Sequence, residues 1–314
     1  MLIVFGSLNM DISAQVPALP KGGETVITDT YHFFPGGKGA NQAFAAGRFG
    51  SRTVMVGKVG DDAFGTILFE TLKREGVTCS GIARCETPTG CAFIARDTNG
   101  ENQIVVMAGA NSEVSADQVP DEILKEGNYL LIQMEVPIVE IEKLVTRAKA
   151  HGVKVILNLA PAIDLPRSLY SKLDYLIVNK HEAKQIADRL NLNVQNNAAL
   201  IAKALAAEGQ LTCIVTLGER GSIAVDTKGE AYGISAYPLT KEQIVDTTGA
   251  GDCYCGTLAA ALHERKTLGE AMRLATVASA LSCKTAGAQT SYPYIDDVVK
   301  EAETIKLPEK VKIE

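Results

Sequence analysis

From Tyr129 onward the chain alternates short apolar runs with stretches of helical spacing. Tyr129–Gln133, Val153–Leu157, Tyr175–Val178 and Thr212–Thr216 read as buried strands, and Val139–Ala150 and Ala183–Leu190 as amphipathic helices. Strands that follow one another through a helix pair in parallel, because only a long crossover returns the chain to the same end of a sheet. The helices then cover both faces. Leu2–Phe5 and Arg52–Val56 fit the same sheet, so the sequence predicts an α/β fold with a doubly wound, mostly parallel central sheet. Two segments, about 12–34 and 88–108, break the rhythm: they alternate apolar and polar residues without intervening helices, and Asn99-Gly100 supplies a hairpin turn in the second. They predict a small separate β-sheet.

Composition narrows the classes of function. A chain of 314 residues with 46% apolar and 22% charged residues can bury a sizeable core and is not disordered. No linker, internal repeat or low-complexity stretch divides it, so one α/β unit over 1–314 is expected. The formal charge of −6 gives no electrostatic reason to bind nucleic acid or an anionic membrane. With no basic leader at Met1–Gly6 and no apolar run of membrane-spanning length, a cytoplasmic protein is expected. The seven cysteines lack metal-type spacing and read as buried thiols; the four histidines, His32, His151, His181 and His263, are scattered and read as surface or loop positions. The mixed-charge tail Glu301–Glu314 reads as a solvated terminal helix and extension.

Chemistry is concentrated in Asp246-Thr247-Thr248-Gly249-Ala250-Gly251-Asp252, just before an apolar, small-residue helical stretch. Glycines ahead of a helix free backbone N–H groups to converge on an anion, where the helix N-terminus adds partial positive charge. Asp252 alone would read as a helix cap. A second glycine run, Pro35-Gly36-Gly37-Lys38-Gly39-Ala40-Asn41-Gln42-Ala43, precedes another helical pattern and offers a lysine and an asparagine to a polar ligand. Neither a G-x-x-x-x-G-K-[ST] loop nor an H-R-D catalytic loop occurs, so any phosphate chemistry falls to the motif around Gly249.

With Asn179-Lys180-His181-Glu182 and Thr216-Leu217-Gly218-Glu219-Arg220-Gly221 between them, these motifs resemble the ribokinase-like (PfkB) family of carbohydrate kinases over nearly the whole chain. Gly100-Glu101-Asn102 and Ala108-Gly109-Ala110-Asn111 narrow the resemblance to its ribose-phosphorylating branch. The resemblance implies an ATP-dependent kinase acting on the primary 5-hydroxyl of D-ribose. Asp252 would be the base, and the amides of Gly249, Ala250 and Gly251 the anion hole. Asn9, Asp11, Gly37, Lys38, Asn41 and Glu135, with Asp252, would bind the sugar. Taken singly, Asn9 and Asp11 also read as an Asx turn and Glu135 as a solvated strand end.

For the nucleotide, the resemblance implies Asn179, Thr216, Gly218, Gly221, Gly251 and Thr276; the bland reading of the Thr216–Gly221 stretch is a tight turn between strands. Glu182 would hold Mg²⁺ through water, or else be an ordinary first-turn acid. A monovalent cation such as K⁺ would take Asp246, the carbonyls of Thr248, Ser282, Thr285 and Gly287, and the Ser291 hydroxyl. The small sheet would act as a lid and a homodimer contact. Two positions depart from the family pattern: Thr276 stands where many relatives place Asn or His near the adenine, and Cys255 where Asn is frequent. Another sugar, a deoxyribose, a sugar acid or a nucleoside remains an alternative substrate. A silent sugar-binding relative is a further alternative, opposed by the presence of both a base and an anion hole.

Overall fold

The computed structural model describes residues 1–99 and 101–313; Gly100 of the Gly100–Asn102 segment and the terminal Glu314 lie outside the described residues. The first half runs β1 (Leu2–Phe5), β2 (Asn9–Gln15), β3 (Tyr31–Gly36), α1 (Lys38–Arg48), β4 (Thr53–Gly60), α2 (Ala63–Arg74), β5 (Thr78–Cys85), β6 (Gly90–Arg96) and β7 (Asn102–Met107). It continues through β8 (Tyr129–Ile132), α3 (Ile138–Ala150), β9 (Lys154–Asn158), α4 (Arg167–Tyr170), β10 (Tyr175–Asn179), α5 (Lys180–Arg189), α6 (Ala198–Gly209) and β11 (Thr212–Thr216). A hairpin of β12 (Ser222–Val225) and β13 (Ala231–Ile234) follows, then α7 (Ala250–His263), α8 (Leu268–Ser282), α9 (Ile295–Ala302) and β14 (Glu309–Val311).

Among the described residues ten strands form one sheet, ordered β14-β13-β12-β11-β10-β9-β8-β1-β4-β5. Every pairing from β5 to β11 is parallel, and the three beyond β11 are antiparallel. The expected fold class is therefore the observed one. All of β1 is buried, and its alternation divides the core. Leu2 and Val4 join the layer built with α1, α7 and α8, whereas Ile3 and Phe5 join the layer of α3, α5 and α6. Successive strands are added outward from β1 on one side and from β8 on the other. Strand order thus reverses between β1 and β8, and in such sheets the crevice beyond the carboxyl ends of the strands at the reversal is where ligands bind.

The two rhythm-breaking segments form the predicted small sheet, ordered β3-β2-β6-β7. Each segment is an antiparallel hairpin, and the two hairpins are joined by a parallel β2–β6 pairing that the alternating pattern did not reveal. All six residues of β7 are exposed.

The tail corrects an expectation. After α9 it returns to the main sheet as β14, paired antiparallel with β13 from Ala231↔Val311 to Gly233↔Glu309, so it is not a free solvated extension. His263 also departs from its expected surface place: at the end of α7 its imidazole lies 2.6 Å from the Met1 amino nitrogen and 2.8 Å from the Ser51 hydroxyl. Among the described residues no helix is long and apolar enough to cross a membrane.

Candidate active site

The carboxyl ends of the parallel strands gather the polar residues. Ser7 follows β1 and leads into Asn9 on β2, Gln133 and Glu135 follow β8, and Asn158, Asn179 and Thr216 end β9, β10 and β11. The N-termini of α1 and α7 reach the same crevice, since Lys38, Gly249 and Gly251 line one cavity with Asp252, Asn179 and Glu182.

Asp252 lies in the first turn of α7 but is not its cap. The cap position is Gly249, in the left-handed region at φ 74°; no side chain caps the helix there, and the Tyr292 hydroxyl donates to the Gly249 carbonyl at 2.9 Å. The Asp252 carboxylate is 7% exposed; Oδ2 accepts from Asn41 Nδ2 at 3.0 Å and Oδ1 from Gln42 Nε2 at 2.9 Å. Among the described residues no ion pair joins it to Lys38 within 4.0 Å, yet the Asp252 charge, against the effect of burial, raises the Lys38 pKa. The ammonium thus borders the cavity as a fixed positive charge.

Three cavities lie along this crevice, and Asp252 lines the central one. The central one, about 160 Å³, contains Asp252, Lys38 and Glu182. On one side a cavity of about 840 Å³ shares Thr216 and Gly251 with it and extends past Gly218, Gly221 and Thr276. On the other side a cavity of about 350 Å³ is lined by Asn9, Asn111 and Glu135. Glu135 bridges this side to the centre, because its Oε2 accepts from the Lys38 backbone N–H at 3.1 Å and from Ser7 Oγ at 2.6 Å.

Asn9 and Asp11 lie on β2, so the strand itself gives them a common direction and no Asx turn is involved. Burial, then the neighbouring Glu135 and Asp252 charges, push the Asp11 pKa up to about 7. Asn111 lies in the Ala108–Asn111 motif, which by itself assigns it no part in the site. In the structure it holds Asn9: Nδ2 donates to Asn9 Oδ1 at 2.7 Å, and its amide also exchanges bonds with the Leu8 backbone. Asn41 is directed at Asp252 and does not line the Asn9–Glu135 cavity.

At the opposite end, Thr216, Gly218 and Gly221 lie in the β11–β12 hairpin turn. The hairpin explains one glycine by itself: Gly221 has φ 91°, and a Cβ there would fall 1.9 Å from Ile234 O. Thr276, on α8, is 6% exposed and its Oγ1 has no partner among the described residues. Cys255, one turn after Asp252, is buried and borders the central cavity; burial first, then the Asp252 charge, raises its thiol pKa well above the ordinary value.

The residues expected at cations fall into two groups. Asn179 and Glu182 form a reciprocal cap of α5, each backbone N–H donating to the other's side chain at 2.8 Å. That uses Glu182 Oε2 and leaves Oε1 beside the central cavity, where burial raises the carboxyl pKa. One carboxylate with phosphates and water suits Mg²⁺. Among the described residues no group of three His, Cys, Asp or Glu side chains converges as a metal site.

Asp246 joins the loop before α7 to the loop after α8. Its Oδ1 accepts from Thr248 N–H and Oγ–H, and its Oδ2 from Gly287 N–H at 3.0 Å. Burial opposes the anion, but those bonds hold its carboxyl below the usual range. Among the described residues the carbonyls of Thr248, Ser282, Thr285 and Gly287 accept no backbone N–H outside helices, and the Ser291 hydroxyl donates to Ala288 O. Carbonyl oxygens and one held carboxylate are donor types that fit a hard monovalent cation.

Comparison with known proteins gives a consistent result. The family model for pfkB family carbohydrate kinases matches residues 1–295. A ribokinase of Haemophilus influenzae is 36% identical over 295 residues, which covers 93% of this chain and 95% of the relative. The crystal structure of ribokinase from Thermotoga maritima superposes with a TM-score of 0.88 at 33% identity, covering 96% of this chain and 99% of that one. The Arabidopsis thaliana ribokinase, solved in complex with ribose and ATP, gives 0.87 at 31% identity, with 96% and 98% covered. The fold, the crevice at the strand reversal and these matches lead to one conclusion: this chain belongs to the pfkB family of carbohydrate kinases.

Proposed function

We propose that this enzyme transfers the γ-phosphoryl group of ATP to the 5-hydroxyl of D-ribose, giving D-ribose 5-phosphate and ADP. The observation that carries the reading is the place of Asp252, a buried carboxylate lining the central cavity, which shares Thr216 and Gly251 with the large cavity and is tied through Lys38 to Glu135 of the smaller one. Relatives named ribokinase across nearly their full lengths support ribose over other hydroxyl acceptors. The sugar would occupy the Asn9, Asp11 and Glu135 side, with Gly37, Lys38 and Asn41 closing toward Asp252. ATP would lie along Thr216, Gly218, Gly221 and Thr276 with its γ-phosphate over Gly249, Ala250 and Gly251.

In the transfer, the 5-hydroxyl proton passes to the Asp252 carboxylate as the oxygen attacks the γ-phosphorus. A new O–P bond forms, the bond from the γ-phosphorus to the β,γ-bridging oxygen breaks, and ADP leaves with that electron pair. The Gly249 and Gly251 N–H groups, which have no hydrogen-bond partner among the described residues, and the Lys38 ammonium would face the accumulating negative charge. The Ala250 N–H donates to the Thr247 carbonyl at 3.2 Å and would have to release it to join them. Mg²⁺, held by Glu182 through water and by the phosphates, would neutralise charge on the nucleotide. A K⁺ ion held by Asp246, the Thr248, Ser282, Thr285 and Gly287 carbonyls and Ser291 would fix the loop carrying the anion hole.

The small sheet carries exposed apolar residues, among them Phe33 (47%), Phe93 (43%) and Val105 (58%), which suits a lid that also makes a homodimer contact. A coupled ADP-release assay with D-ribose, 2-deoxy-D-ribose, other sugars, sugar acids and adenosine tests the substrate. D-ribose should give the highest kcat/KM, and a higher value for any other acceptor would replace it. Turnover should rise when K⁺ is added at constant ionic strength to tetramethylammonium buffer, and Asp246→Ala should remove the response; equal rates in both buffers would dismiss the cation.

A further inference from the structure

Four amide side chains behind Asp252 line none of the three cavities; two of them reach its carboxylate and the other two back those. Gln42 is wholly buried; its Nε2 donates to Asp252 Oδ1 and to Asn158 Oδ1, each at 2.9 Å, and its Oε1 accepts from Gln133 Nε2 at 2.7 Å. Asn41 mirrors it, with Nδ2 donating to Asp252 Oδ2 at 3.0 Å and Oδ1 accepting from Gln289 Nε2 at 3.0 Å. One chain begins after β8, the other in the loop before α9, and they end on different oxygens of the same carboxylate.

A primary amide can turn end for end. If Gln42 turned, its oxygen would face the Asp252 carboxylate and its nitrogen would face Gln133 Nε2, so two acceptors and two donors would be opposed. The carboxylate, which only accepts, and Asn158 Oδ1, whose own amide is set because Asn158 Nδ2 donates to the Ile177 carbonyl at 3.1 Å, fix which end of Gln42 meets Asp252. The carboxylate does the same for Asn41, while Gln133 and Gln289 hold the far ends of these two side chains. With one neutral donor on each oxygen, the carboxylate cannot rotate about its own axis without losing both bonds in a buried setting. Its remaining lone pairs stay directed at the cavity.

We infer that Gln42 and Asn41, backed at their far ends by Gln133 and Gln289, are positioning residues that hold the Asp252 carboxylate in the plane in which it takes the hydroxyl proton. This rests on Asp252 being the base. Neutral donors orient an anion without neutralising it, whereas a cation in the same place would compete with the proton that the base must accept.

The test uses the full-length enzyme, D-ribose and MgATP. Gln42→Met keeps length and apolar volume but removes the donor, so turnover should fall roughly ten- to hundredfold through misorientation of the base, with both KM values within about threefold. In an Asp252→Asn background the same substitution should change the residual rate by less than about twofold, because it has no base left to orient. A purely structural role would instead lower the rate by the same factor in both backgrounds, and that result would overturn the inference. Wild-type turnover of Gln42→Met beside an inactive Asp252→Asn would also overturn it while leaving the base assignment intact. Near-normal turnover of Asp252→Asn would break the base assignment itself. Should Gln42→Met not fold, Gln133→Met decides the matter from one residue further away: it should lower turnover about three- to tenfold with D-ribose binding unchanged by calorimetry, and unchanged turnover would overturn the clamp.

Discussion

The two ends of the crevice are built on opposite plans. On the Asn9–Glu135 side the polar groups are already tied to one another: Asn111 holds Asn9, Ser7 and the Lys38 N–H hold Glu135, and Asp11 crowds against two other carboxylates. On the Thr216–Thr276 side the wall is a hairpin turn, the largely apolar stretch from Ala236 to Ile244 and small residues of α8, and the Thr276 hydroxyl is buried without a partner among the described residues. A preset group rejects a ligand that cannot match it, because the mismatch leaves buried polar atoms unpaired. A wall with few side chains tied to one another imposes fewer such demands. With the sugar and the nucleotide placed as proposed, the contrast implies strict choice of sugar and tolerant choice of nucleotide.

The largest effect should appear where the two ends meet. Asp252→Asn keeps shape but removes the proton acceptor, so turnover should drop by at least about a hundredfold while ribose and ATP binding change little. A comparable loss of binding at either end would mean that Asp252 belongs to that end and not to the junction.

Next in size is Asn111→Leu. It frees Asn9 Oδ1 and the Leu8 backbone groups from their partner, and the KM for ribose should rise about five- to hundredfold with the KM for ATP unchanged. An equal rise in both KM values would dissolve the contrast between the ends.

A smaller effect, in pH, sharpens the sugar side. Asp11 with a pKa of about 7 carries a proton below neutrality and becomes a pure acceptor above it, so the KM for ribose should fall between pH 6 and pH 8 and lose this trend in Asp11→Asn. Stability runs the other way. The folded pKa lies above the ordinary value of 3.8, so the folded state binds the extra proton, and stability falls as pH rises from about 4 to about 7. Asp11→Asn should therefore raise the melting temperature at pH 8 and leave it nearly unchanged near pH 4; a gain that is the same at both pH values would rule out the titration.

The smallest change is expected from Thr276→Val, which removes an unpartnered hydroxyl. The KM for ATP should rise no more than about two- to tenfold, and GTP should be used within about tenfold of ATP by the unaltered enzyme. Strict rejection of GTP would show that the nucleotide end is as selective as the sugar end.

Much of this arrangement was legible in the sequence for physical reasons. The parallel strands carry buried apolar runs, and the Gly249–Asp252 and Gly36–Asn41 stretches place glycines where helices start, so both declare themselves locally. Gln42 did not, although it adjoins Asn41 in the same run. A glutamine in a helical pattern reads as a solvent-facing residue, and only the crossing of α1 with α7 turns it inward onto Asp252. Gln133 and Gln289 carry no local signal, since their partners lie 91 and 248 residues away. β14 was hidden for a different reason: Glu309-Lys310-Val311 is fully exposed and acquires strand geometry only from β13 beside it.

The contact between α1 and α7 has a consequence for anyone wishing to alter this enzyme. Gly256 lets the two helices touch; a Cβ there would fall 2.3 Å from the Gln42 carbonyl and 2.8 Å from Ala45 Cβ. A methyl group at this crossing would push away the helix that carries Lys38, Asn41 and Gln42. A library that varies the interior of α7 in search of a more robust protein would therefore lose stability and activity together at this position. Variation directed at β6 and β7 would leave that joint untouched and is the safer route to a new acceptor.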